Sequence, residues 1–166
     1  MTELELTRTP NDRRRYTLEG VGTIRLEGMF SNGATAQAGD EVWRITRRRL
    51  WHPIMEATDE TGAVVGEFAP RDIRRGGTLR WSGLELTLRP VSTLRERYAL
   101  RYGAHDLAEL DGKSWGKRPV KITLPDPDSV EPGLLLFAAF VVHRLAVNAD
   151  SSAAATTAAV SSSSSG

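Results

Sequence analysis

The stretch PGLLLFAAFVVHRLAVNAD, residues 132–150, limits the possible folds of this chain more than any other, because nothing else in it is so continuously apolar. Pro132 suits a first helical position, Asp126 and Asp128 lie upstream where negative charge favours a helix start, and Asn148 offers a stop. A helix over 132–147 is expected. At 1.5 Å per residue it is roughly 24 Å long, short of the roughly 30 Å hydrocarbon layer of a bilayer, and His143 with Arg144 interrupts its apolar run. Projected at about 100° per residue, Leu134, Leu136, Phe137, Phe140, Val141 and Leu145 cover every side. A helix without a polar face has to be surrounded. Protein core is the better surrounding; a tail-anchored membrane segment is the alternative.

What could surround it is written between residues 15 and 124, where β-favouring runs alternate with turn signals too closely spaced for helices. Eleven strands are expected, from RYTLE at 15–19 to RPVKITL at 118–124. Asn32-Gly33, Thr61-Gly62, Gly76-Gly77, Ser82-Gly83 and Asp111-Gly112 place glycine where hairpins need positive φ, which makes sequential antiparallel pairing the simplest topology. Trp43 and Ile45 alternate with Arg44 and Thr46, and Leu84, Leu86 and Leu88 with Glu85, Thr87 and Arg89, so one face of the sheet is apolar and must be buried. With one helix available, closure of the sheet around that helix satisfies both elements. The expected fold is mainly β: a closed antiparallel barrel of about 11–12 strands threaded by one C-terminal hydrophobic helix.

The order of features resembles the tubby C-terminal-like superfamily, which includes tubby proteins, phospholipid scramblases and LURP-one-related proteins. The likeness is carried by EATDETGAVVGEF (56–68), GGTLRWSGLELTLRP (76–90), RYALRYGAHDLAELDGKSWGKRPVKITL (97–124) and the terminal PGLLLFAAFVVHRLA (132–146). It implies a barrel threaded by a hydrophobic helix and, from tubby proteins, recognition of phosphoinositide headgroups through a basic surface; no specific binding residue transfers. The proline-rich, cysteine-rich and calcium-binding segments of scramblases have no counterpart here, which counts against lipid scrambling.

Organisation follows: residues 1–12 as a flexible N-terminus, 13–148 as the barrel with its helix, and 149–166 (ADSSAAATTAAVSSSSSG after Asn148) as a low-complexity tail, disordered or a frayed helical extension. The acidic opening MTELELTRTP lacks the apolar core of a secretory signal, so a cytoplasmic location, peripheral at a membrane, is the expectation.

The chain offers little catalytic chemistry. It has no cysteine, which removes thiolate nucleophiles and disulfides. His52, His105 and His143 have no partner at motif spacing. DGKSWGK lacks the first glycine of a phosphate loop, and Asp126, Asp128 and Glu131 lack the spacing of a calcium loop. No enzyme activity, cofactor or metal is expected.

Charge is more informative. Residues 42–101 hold 12 Lys and Arg against 7 Asp and Glu, a local excess of +5, while the whole chain is only +1. Arginines cluster at 13–15, at 47–49 and at 71, 74 and 75, and such clusters attract phosphate. Few aromatic residues accompany them, so nucleic acid is not expected. Alternation from the inward Trp43 and Ile45 turns Arg44 and Arg48 outward; with Arg74 and Arg75 in a turn, these are the candidate lipid-binding residues. The chain reads as a non-enzymatic binding or scaffold module with weak affinity for anionic phospholipid headgroups or for a protein partner. A small-ligand barrel is the further alternative.

Overall fold

The computed structural model describes residues 1–28, 33–48, 54–71, 76–92, 96–112 and 120–162, with side chains described up to residue 149. Twelve strands run β1 (Thr2–Arg8), β2 (Arg15–Leu18), β3 (Gly22–Glu27), β4 (Gly33–Ala38), β5 (Glu41–Arg48), β6 (Ile54–Thr58), β7 (Val64–Pro70), β8 (Gly77–Trp81), β9 (Leu84–Pro90), β10 (Arg97–Tyr102), β11 (His105–Asp111) and β12 (Val120–Leu124). A short 3-10 turn at Pro127–Ser129 precedes α1 (Pro132–Ser162). Every strand pairs antiparallel with its sequence neighbours, and β1 pairs with β12 to close the barrel.

The strand that closes the barrel lies in the segment expected to be a flexible N-terminus. TELELTR alternates Leu4 and Leu6 with Glu3 and Glu5, a period-two pattern hidden by its acidity; Leu6 is 2% exposed and stands opposite both Val120 and Leu18. Without it β2 and β12 would each present an open edge.

Inside, α1 is surrounded as the sequence requires. A closed sheet of twelve strands, each about 4.8 Å from the next and tilted by about 40°, is roughly 24 Å across between backbones. A helix about 10–12 Å wide, with one layer of barrel side chains around it, fills that bore. All nine side chains from Leu134 to Val142 are buried. The stretch Pro132–Ala149 is long and apolar enough to cross a membrane, but its apolar surface is spent on the barrel wall. The helix runs closest to β3 and β4, where small inward residues, Gly22 at the start of β3 and Ala34 and Ala36 on β4, admit it alongside Ile24.

The helix does not stop at Asn148 but continues to Ser162. The Ala-rich composition favours helix and no glycine or proline intervenes before Gly166, so one asparagine is too weak a terminator. Asp126 caps the 3-10 turn instead of α1, its carboxylate accepting the Asp128 N–H at 3.1 Å. Of the expected turn glycines, Gly62, Gly76 and Gly83 have positive φ, but Gly33 and Gly112 do not. Gly112 serves close packing: a Cβ there would lie 2.9 Å from Val142 Cγ1 on the helix.

The meander sends alternate connections to opposite mouths of the barrel. One mouth, where α1 enters, carries the β2–β3, β4–β5, β6–β7, β8–β9 and β10–β11 turns and the β12–α1 connection; α1 leaves through the other.

Candidate functional site

Of the four arginines expected to bind lipid, Arg44 and Arg48 lie among the described residues. Both do point outward, but Arg44 Nη2 lies 3.5 Å from Glu27 Oε2, two strands away on β3, and Arg48 Nε 3.0 Å from Glu56 Oε2 on the adjacent β6, so each faces a carboxylate. Arg74 and Arg75 lie outside the described residues. No joint site of these four is described.

A different set converges at the helix-exit mouth. The alternation that turns Arg44 and Arg48 outward turns Arg47, on the strand between them, toward the interior after Trp43 and Ile45. Its Nε is buried with no hydrogen-bond partner among the described residues. Arg144 on α1 is close enough for the Arg47 charge to lower its pKa, second to the effect of its own burial; its guanidinium carbon sits 5.5 Å from the Phe140 ring centroid. From β1, Arg8 donates to the Tyr16 hydroxyl at 3.2 Å and stands 5.7 Å over that ring. Tyr16 in turn packs on His143, with ring centroids 5.2 Å apart. Burial first, then the charges of Arg144 and Arg8, pushes the His143 pKa from 6.5 down to about 4, so the imidazole is neutral at physiological pH. The adjoining β1–β2 connection adds exposed Arg13 and Arg14. At this mouth Arg8, Arg47 and Arg144 approach one another, with Arg47 Nε lacking an acceptor among the described residues; Asp111 Oδ1, at the end of β11, is likewise buried without a partner there. The alternation that turns Arg44 and Arg48 outward also carries the signal for Arg47, which is not among the site residues expected from sequence; Arg8 and Arg144 are brought in by closure and by helix threading, which no local pattern reports.

The helix-entry mouth has the opposite character. None of its six connections contains lysine or arginine. Asp40, Glu41, Asp59, Glu60 and Glu131 border a cleft of about 340 Å³, floored in part by Trp43 and Trp81. The two indoles meet edge to face with centroids 5.7 Å apart, and Trp81 packs on Phe137 at 5.7 Å. They close over the start of α1 because residue 133 is glycine: a Cβ there would lie 2.6 Å from Trp81 Cζ2 and 2.7 Å from Trp43 Cζ2. The Trp81 N–H donates to Glu131 Oε2 at 3.0 Å, which fixes that carboxylate at the rim. Asp59 Oδ1 accepts from Thr61 Oγ1 at 2.6 Å, Thr61 N at 2.9 Å and Ala63 N at 3.1 Å. Those bonds, the Thr61 hydroxyl foremost, hold its pKa below the usual carboxylate value. A register shift at Ala57/Thr58, a bulge at this rim, reorients the strand leading into the Asp59 turn. Among the described residues no three His, Asp or Glu side chains gather in a way that could hold a metal ion.

No family model matches the chain, and neither curated proteins nor solved structures give a match.

Proposed function

We propose that this chain is a non-enzymatic binding module, tubby-like in kind, that associates weakly with anionic phospholipid surfaces through its helix-exit mouth. The observation that carries the reading is Arg47: a cation turned inward beside Arg144, its Nε buried and without an acceptor among the described residues. A buried donor left unpaired costs about 1–3 kcal/mol, which a phosphate oxygen entering the mouth would recover. Arg8, Arg13 and Arg14 on adjoining elements extend the same charge to the rim. The non-enzymatic part draws support from the described histidines, since His143 is packed and neutral and His105 lies exposed at the start of β11.

Magnitudes set the strength. At about 1 kcal/mol per basic residue near an anionic surface, four or five arginines supply roughly 4–5 kcal/mol, or dissociation constants from about 1 mM to a few hundred μM. That is recruitment, not anchoring. The test is co-sedimentation with phosphatidylserine vesicles at about 50 mM salt, where surface charge is little screened. Replacing Arg13, Arg14 and Arg47 together with glutamine is expected to abolish sedimentation, whereas Arg44→Gln, which removes an already paired cation, leaves most of it. Absence of sedimentation by the unmodified protein at low salt would reject the lipid reading and leave a protein partner.

A further inference from the structure

The acidic cleft at the opposite mouth requires none of the lipid reading and has its own chemistry. Its floor is indole and its rim is carboxylate, a combination that suits a ligand with an apolar stem and a cationic head, as in lysine and arginine side chains. The positive end of the α1 dipole, roughly half a charge, also points here, but Glu131 alone outweighs it and four further carboxylates join it. One more group is waiting for a partner. Trp43 is 7% exposed, the little that remains borders the cleft, and its indole N–H has no acceptor among the described residues, in contrast to that of Trp81. That N–H keeps contact with solvent at the cleft, so a carbonyl of the ligand can take the place of water there. The carboxylates do not gather as metal ligands, so a bare divalent ion fits poorly. At about 340 Å³ the cleft lies near the lower end of the roughly 300–1,000 Å³ range of ligand sites, enough for a side chain with its adjoining backbone.

We propose that the cleft bounded by Trp43, Trp81, Glu41, Glu60 and Glu131 receives a lysine or arginine side chain from a basic peptide segment of a partner protein. The stem methylenes pack on the indoles, the carboxylates surround the charged head, and the Trp43 N–H donates to a backbone carbonyl of the same segment. The charge asymmetry between the mouths favours this partner over an acidic one and orients its approach.

The experiment titrates a fluorescein-labelled peptide of alternating glycine and arginine into the full chain at low salt, with a citrulline peptide as the neutral isostere. Expected are saturable binding of the arginine peptide, at least tenfold weaker binding of the citrulline peptide, and a shift of the Trp43 indole N–H resonance. Glu41→Gln with Glu60→Gln, both on exposed positions that leave the core untouched, should weaken binding by tenfold or more without changing the melting temperature. Arg47→Gln at the other mouth should leave it unchanged, which separates failure of this proposal from failure of the lipid reading. Equal affinity for the two peptides, or full affinity in the double variant, would overturn it. Concentration-dependent self-association lost in the double variant, with no peptide binding, would overturn it in favour of a second copy of the chain.

Discussion

The two mouths of the barrel are built from alternate turns of one meander, yet they treat their polar groups in opposite ways. At the entry mouth the bonds are made: Glu131 receives the Trp81 N–H, Asp59 is saturated by its own turn, and Gly133 lets two indoles seal the helix start. At the exit mouth Arg8, Arg47 and Arg144 approach one another, His143 is held neutral by burial and by Arg144 and Arg8, and Arg47 Nε and Asp111 Oδ1 stay buried without hydrogen-bond partners among the described residues. The entry mouth fixes the helix with satisfied bonds, whereas the polar groups of the exit mouth are held in place by the well-packed remainder, Tyr16 on His143 and Gly112 against Val142 among it.

The largest break in that comparison is at Gly133. Valine there would set three carbons against indole atoms that a single Cβ already approaches to 2.6 Å and 2.7 Å. Overpacking typically costs about 1–3 kcal/mol, so Gly133→Val, which also disturbs the Trp81–Glu131 bond, is expected to lose about 3 kcal/mol or more. Urea unfolding measures it. A variant with the stability of its parent would show that the entry mouth does not clamp the helix.

The exit mouth should reveal itself through pH. The His143 pKa is about 4 in the folded chain against 6.5 unfolded, so between those values the unfolded chain binds more protons. The stability that a neutral His143 permits is therefore fully present above pH 6.5 and is lost as pH falls toward 4. The complete difference corresponds to about 3 kcal/mol, and residual solvent contact reduces it to between about 1 and 3 kcal/mol. His143→Gln should flatten the dependence of melting temperature on pH across this window relative to the parent, which corrects for carboxylates titrating in both. Parallel curves would mean that Arg8 and Arg144 do not confine the imidazole.

Much of the fold was legible because it follows from periodicity. An apolar run such as Leu134–Val142 with no polar face needs a complete enclosure, and strands such as Leu84–Pro90 with one dry face need something to enclose. β1 was misread because Glu3 and Glu5 masked the alternation of Leu4 and Leu6; its local partner β2 follows a six-residue connection, and its other partner β12 lies more than a hundred residues away. The helix terminus was misplaced because Asn148 competes poorly with an Ala-rich continuation. Sites were harder. Arg47 was readable from the same alternation that yielded Arg44 and Arg48, but outward arginines attract attention and inward ones are easily passed over. The cleft joins the Asp40, Asp59 and Ser82 turns to Glu131, and only barrel closure makes these neighbours. Ser82, at φ 46 ahead of Gly83, shows how tightly one of those turns is drawn.

The smallest effect is expected beyond the exit mouth, where α1 leaves the barrel and continues to Ser162. Helices draw most of their stability in proteins from a packed apolar face, and residues 151–166 contain only Ala, Ser, Thr, one Val and Gly. Burial contributes about 25 cal/mol per Å² of apolar surface, so side chains this small have little to contribute even if they touch the rim. Isolated helical turns of such composition are marginal in water, and their loss should cost the barrel less than about 0.5 kcal/mol. Removing residues 151–166 is therefore expected to leave the melting temperature within about a degree or two and the His143-dependent pH slope unchanged. A drop of more than about 5 °C would mean that the extension packs on the exit mouth. It would then share the surface proposed for the anionic headgroup, and the contrast between the two mouths would have to be redrawn.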